Sequence, residues 1–102
     1  MNEQRLYCQM IRTFASEETE KVFHGRSVKR LPSDIQRTAE RKLRQIHSAK
    51  ELKDLIAPPG NRLKLLEGDK AGLHSIRIND RWRICFIWKD GGADQVEIVD
   101  YH

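Results

Sequence analysis

The residues with the greatest chemical reach lie in the second half of this chain. Arg77 and Arg83 flank the run Asn79-Asp80-Arg81, and the sequence closes on Asp100, Tyr101 and His102. A pair of guanidinium groups matches a phosphate bidentately. An imidazole titrates near neutrality and suits general acid–base work, and the terminal carboxylate of His102 favours its protonated form. A tyrosine can stack on a base or share in proton transfer. Together these groups suit metal-independent cleavage of RNA. The 2′-hydroxyl loses a proton, Arg77 and Arg83 stabilise the crowded phosphate, and the leaving 5′-oxygen gains a proton. The plainer alternatives are a histidine without a role at the chain end, and a carboxylate such as Glu97 neutralising the two arginines.

Other chemistries have less to stand on. His24, His47, His74, Cys8 and Cys85 lack paired ligand spacing, so neither a metal site nor a cofactor is expected. No glycine-rich phosphate loop is present, since Gly60, Gly68, Gly72, Gly91 and Gly92 mark turns. Cys85 reads as a small core residue, and Trp82, Phe86 and Trp88 as core rather than as a stacking platform.

The arginines must be positioned by strands. Arg62–Leu66, Gly72–Ile78, Trp82–Trp88 and Gln95–Tyr101 carry strand patterns divided by turn residues. Alternation sends Trp82, Ile84, Phe86 and Trp88 to one face and Arg83, Cys85 and Ile87 to the other. If the apolar sets share a face, Ile76 opposes Ile84 and Ile78 opposes Trp82. Arg77 then faces Arg83 across a three-residue loop, Asn79-Asp80-Arg81. The same reasoning sets Ile98 against Ile84, Val96 against Phe86, and Tyr101 on the arginine face.

The first half reads as helical. Met10–Phe14 suggests a short strand, and Ser16 followed by Glu17, Glu18 and Glu20 suggests a helix start that runs to about His24-Gly25. Ser33 and Gln36 stand at capping-box spacing before a longer helix. Its apolar stripe is Ile35, Ala39, Leu43 and Ile46, with Arg37, Arg41 and Arg44 off it. A further turn over Lys50–Leu55 ends before Ala57-Pro58-Pro59-Gly60. Helices followed by a meander predict an α+β fold, an antiparallel sheet packed against N-terminal helices. A single domain over 10–102 is expected, with residues 1–9 as an extension or an edge segment.

The 102 residues carry a formal charge of +4, with 38% apolar and 33% charged residues. Seven basic residues stand between Arg26 and His47 against Asp34 and Glu40. That stripe fits either a polyanionic partner or an ordinary solvated helix face. No apolar run approaches the roughly 20 residues that cross a bilayer, and the N-terminus lacks a signal-peptide core. A cytoplasmic protein without membrane contact is expected.

Pro58-Pro-Gly-Asn-Arg-Leu63, Gly72-Leu-His-Ser-Ile-Arg-Ile-Asn-Asp80, Trp82-Arg-Ile-Cys-Phe86 and Val96-Glu-Ile-Val-Asp-Tyr-His102 closely resemble HigB-type toxins, the plasmid maintenance killer members of the RelE superfamily. The likeness runs over Met10–His102 and implies a RelE-like fold. It implies an mRNA interferase that enters the ribosomal A site and cuts translated mRNA. It also implies a HigA-type helix-turn-helix antitoxin as partner, with operator DNA reached only through that antitoxin. By position, Arg83, Asp100, Tyr101 and His102 match the family's functional C-terminal residues. Arg62, Lys64, Arg77, Arg81, Arg37 and Arg41 are expected to bind RNA or phosphate. Some relatives carry a histidine and a lysine where this chain has Lys64 and Glu67, which leaves the general base open. An arginine of relatives falls at Asn79, with Arg77 or Arg81 as substitute. The competing functions are a non-catalytic module that blocks translation by occupying the ribosome, and a protein-interaction corepressor subunit.

Overall fold

The structure is a computed structural model that describes residues 11–67 and 72–100. The expectations for residues 1–9, Tyr101 and His102 lie outside the described residues. Helix α1 (Glu17–Phe23) starts at Ser16, whose Oγ accepts the Thr19 N–H at 3.2 Å, and three glutamates occupy its first turn. Both features offset the unsatisfied amides and the positive pole of a helix start.

Helix α2 (Ser33–Ser48) buries Ile35, Ala39, Leu43 and Ile46, the whole apolar stripe. The Ser33–Gln36 capping box does not form. Pro32, at φ −56°, already occupies the cap position, so Ser33 is the first helical residue. Gln36 instead serves the loop before the helix. Its Nε2 donates to Val28 O at 2.8 Å and Leu31 O at 2.7 Å, and its Oε1 accepts from Val28 N at 3.1 Å. Three backbone groups are satisfied by one amide, more than a reciprocal cap would satisfy. Two 3-10 turns follow, Leu52–Leu55 and Pro59–Asn61.

The sheet has four antiparallel strands in sequential order: β1 (Lys64–Leu65), β2 (His74–Arg77), β3 (Trp82–Lys89) and β4 (Gly92–Asp100). The architecture is α+β, as the sequence pattern implies. Ile76 pairs with Ile84, Arg77 with Arg83, and Ile98 with Ile84. Asn79 closes the three-residue loop, its Oδ1 accepting from Arg81 N and Trp82 N at 2.8 Å each. The β3–β4 hairpin turns on Asp90 and Gly91, both at positive φ (53° and 77°). A two-residue turn of that kind matches the twist of the strands.

Three further expectations need correction. The first strand, Arg62–Leu66, shrinks to Lys64–Leu65 because Arg62 sits in the left-handed region at φ 46°, ψ 56°. Met10–Phe14 is no continuous strand over its described part. Residues 11–14 run parallel to β4 with isolated bridges Ile11–Ala93 and Phe14–Val96. The third concerns the register of β4. Cys85 pairs with Glu97 but Ile87 with Asp94, so Phe86 faces a bulge made by Gln95 and Val96 rather than Val96 alone. Gln95 lies at φ 54°, and its N–H turns out to Thr13 Oγ1 at 2.8 Å.

The core lies between the α2 stripe and one sheet face, where Ile76, Ile84, Phe86, Val96 and Ile98 join Leu43 and Ile46. Full burial of such side chains contributes roughly 1.5–3 kcal/mol each. Trp82 and Trp88 pack partly buried at its margin, and Cys85 is buried on the opposite face.

Candidate active site

Directly paired residues share a face and alternate residues along a strand do too, so Lys64, Ser75, Arg77, Arg83, Cys85 and Glu97 share the face away from the core. Arg77 and Arg83, facing each other, are like charges and repel. Each is held separately. Arg83 is 8% exposed; its Nε donates to Ser75 Oγ at 2.7 Å, and its Nη2 to the Arg62 carbonyl at 2.6 Å and the Ser75 carbonyl at 3.4 Å. Arg77 forms an ion pair with Asp80 from the adjacent loop, whose side chain is almost wholly exposed. An incoming phosphate can replace so exposed a carboxylate at low cost.

A third cation lies close by. Lys42 of α2 is buried, and its Nζ donates to Asn61 Oδ1 at 2.6 Å. Burial lowers its pKa, and the positive charges of Arg41, Arg77 and Arg83 lower it further. Lys42 is one of the seven basic residues of the Arg26–His47 stretch, yet the structure places it at the rim of the arginine face rather than on the solvated side of the helix. Its spacing carried a signal, since it stands three residues after Ala39 and seven after Ile35. Ser75 and Asn61 had no role assigned from sequence. Ser75 could have been found by parity, two residues before Arg77 on the same face.

The remaining candidates scatter. Arg62 and Lys64 are exposed beside Arg83, on the segment that crosses the arginine face. Arg37 and Arg41 are exposed on α2. Asn79, aligned with an arginine of relatives, is a turn residue whose side chain is committed to the loop. Asp100 pairs across the sheet with Trp82, which puts it on the face opposite Arg83. There it holds Arg81 bidentately, Arg81 Nε to Oδ1 at 2.9 Å and Nη2 to Oδ2 at 2.8 Å. That hydrogen bond, and then the carboxylate's charge, raise the Arg81 pKa. Arg81 also lies over the Trp82 ring at 5.8 Å. The structure thus brings Arg62, Lys64, Arg77 and Arg83 together, and sets Arg81 and Asp100 apart as an anchored pair near the end of β4.

Chemically, the arginine face offers the half-buried Arg77 guanidinium to an anion, with the buried Arg83 beneath the Arg62 segment and Lys42 at its rim adding positive potential. Among the described residues no group of three or more His, Cys, Asp or Glu side chains could hold a metal ion. No described helix is long and apolar enough to cross a membrane.

A family model described as "RelE-like toxin of type II toxin-antitoxin system HigB" matches residues 12–102. The chain is 44% identical to "Toxin HigB-1" of Vibrio cholerae serotype O1 over 63 residues, which cover 62% of this chain and 66% of that protein. It is 35% identical to an "Uncharacterized protein" of Haemophilus influenzae over 66 residues, 65% of this chain and 63% of that one. Each match spans less than two thirds of the relative's length. The family match, by contrast, takes in both helices and every strand described above, and the chain belongs to the HigB-like family of RelE-like toxins of type II toxin–antitoxin systems.

Proposed function

We propose that this toxin is a ribosome-dependent endoribonuclease that cuts translated mRNA without a metal ion, and that a HigA-type antitoxin neutralises it. The observation that carries this reading is the opposed pair Arg77 and Arg83, two like charges held face to face by Asp80, Ser75 and the Arg62 carbonyl. Such an arrangement concentrates positive charge on one face of the sheet, which a phosphodiester suits. Attack by the 2′-hydroxyl puts extra negative charge on the phosphoryl oxygens, where Arg83 and Arg77 gain strength as the reaction proceeds. Arg62 and Lys64 extend the positive field along the strand of RNA. Tyr101 and His102 follow Asp100, whose bond to Arg81 anchors the chain two residues before its last imidazole. In this reading the imidazole and the phenol serve the proton transfers. The exposed arginines of α2, Arg37 and Arg41, face ribosomal RNA when the toxin is free.

The test is mapping of mRNA 5′ ends after induction of wild type and His102→Ala at matched expression. Cuts inside translated codons that vanish in the variant establish the interferase and the role of His102. Cuts that persist in both keep the enzyme and move the acid–base role to Lys64, Asp100 or Tyr101. Growth arrest with intact mRNA overturns the enzymatic reading in favour of ribosome occupancy.

A further inference from the structure

Lys42 and Asn61 pose a physical problem. Lysine is rarely buried without a paired charge, and an ammonium ion loses more hydration on burial than one neutral acceptor returns. Yet Lys42 is 6% exposed, its partner Asn61 is fully buried, and Arg41, Arg77 and Arg83 all act on it unfavourably. A methionine of similar length would fill the same space at less cost.

The bonds around Asn61 show what the arrangement secures. An ammonium group only donates, so Lys42 forces the Asn61 oxygen toward itself and the amide nitrogen away. That nitrogen then reaches Leu55 O at 3.1 Å, Gln45 Oε1 at 3.3 Å and Ala57 O at 3.4 Å. With both ends of its side chain tied, Asn61 fixes the 3-10 turn Pro59–Asn61 against α2. The next residue, Arg62, takes the left-handed conformation at φ 46°. Its carbonyl is thereby aimed at Arg83, which donates Nη2 to it at 2.6 Å.

We propose that Lys42 and Asn61 are a positioning pair for Arg83: they hold the Arg62 carbonyl where it orients the guanidinium that stabilises the reacting phosphate. The catalytic half of this inference rests on the endoribonuclease reading. The positioning half does not, because it concerns only the order of the Arg83 side chain. A purely structural Lys42 gives a different expectation: Lys42→Met would then change the melting temperature and leave the order of the Arg83 side chain untouched.

The experiment compares wild type with Lys42→Met and Asn61→Ala, and uses Val22→Ala as a core control remote from the arginine face. Thermal melting, hydrogen exchange of the arginine Nε–H groups by two-dimensional NMR, and mRNA cleavage on programmed ribosomes are measured for each. Lys42→Met removes a buried charge but leaves the buried Asn61 Oδ1 without its donor, two effects of opposite sign, so it is expected to melt within about 10 °C of wild type. Its Arg83 Nε–H, which donates to Ser75 Oγ in the wild type, should exchange about 10-fold faster, and kcat should fall about 10- to 100-fold with KM within about twofold, as for a misplaced catalytic group. Val22→Ala should lose stability with the Arg83 signal unchanged. Unchanged Arg83 exchange in Lys42→Met overturns the proposal whatever the cleavage assay gives, even if Asn61→Ala fails to fold. Faster exchange with undiminished cleavage overturns its catalytic half. Faster exchange in a protein whose wild type cuts no mRNA upholds the positioning pair and refutes the endoribonuclease reading instead.

Discussion

Arg83→Lys keeps the charge of the central arginine and removes its geometry, which makes it the sharpest test of how that residue is held. The guanidinium spans two acceptors at once, Ser75 Oγ at 2.7 Å through Nε and the Arg62 carbonyl at 2.6 Å through Nη2. A lysine ammonium can reach one of them but not both, because it is a point charge on a flexible stem. A hydrogen bond to a charged group contributes about 1.5–3 kcal/mol net, and a buried acceptor left unmade costs about 1–3 kcal/mol. Ser75 is fully buried, so water cannot replace the lost donor there. The substitution should therefore destabilise the fold by about 2 kcal/mol, which for a domain of this size lowers the melting temperature by about 10 °C. On the proposed endoribonuclease function, cleavage should fall about 10²- to 10³-fold, the usual effect of removing one donor from a developing oxyanion.

A double-mutant cycle of Arg83→Met with Ser75→Ala isolates the bond, since methionine can donate to neither acceptor. Both single variants break the same contact, so their effects should not add, and a coupling of about 1–2 kcal/mol is expected from urea unfolding. An additive cycle, with coupling below about 0.3 kcal/mol, would refute the claim that Ser75 holds Arg83. Melting of Arg83→Lys within about 2 °C of wild type would refute the wider claim that the arginine is structurally committed.

The other expected outcomes are simpler. Arg81→Ala breaks an exposed bidentate pair with Asp100 and should cost little stability. That small cost should disappear at 1 M salt, where the screening length is about 3 Å, and a loss persisting there would show that packing on Trp82 rather than charge holds Arg81. His47 and His74 have pKa values lowered from 6.5 chiefly by burial, and the Nδ1 of each is buried without a hydrogen-bond partner among the described residues. Because their folded values lie below the unfolded one, the unfolded chain binds more protons in between. Stability is full above about pH 6.5 and falls as pH drops through the folded values, so urea midpoints should be lower at pH 5.5 than at pH 7.5. Replacing both with Gln should flatten that difference, and an unchanged slope would assign it to carboxylates.

How much of this was legible in the sequence follows from which forces are local. The α2 stripe and the pairing of Arg77 with Arg83 could be read directly, because helical period, strand alternation and the demand for one apolar face over-determine them. The bulge at Gln95 could not. It depends on Thr13, some eighty residues earlier, offering its hydroxyl to the Gln95 N–H, and a glutamine in left-handed backbone leaves no mark in local propensity. Pro32 shows a local signal that overrode another: Ser33 and Gln36 had the right spacing, but the proline took the cap position and freed Gln36 for the loop.

Lys42 is the most instructive case. Its neighbours Arg41 and Arg44 are what they look like, exposed cations on a polar helix face, with Arg44 reaching Glu40 and the Phe23 carbonyl. Lys42 differs only by the turn of the helix, about 100° from Arg41, which brings it onto the flank of the buried stripe. What makes that position bearable is Asn61, nineteen residues on, within the Pro58–Leu63 motif. A basic stripe read as one surface therefore divides in two: Arg37 and Arg41 are available to a partner from outside, while Lys42 works inward on the arginine face. Charge reversal at Arg37 and Arg41 should then weaken ribosome binding and leave the order of Arg83 untouched, which separates recruitment from chemistry within a single helix.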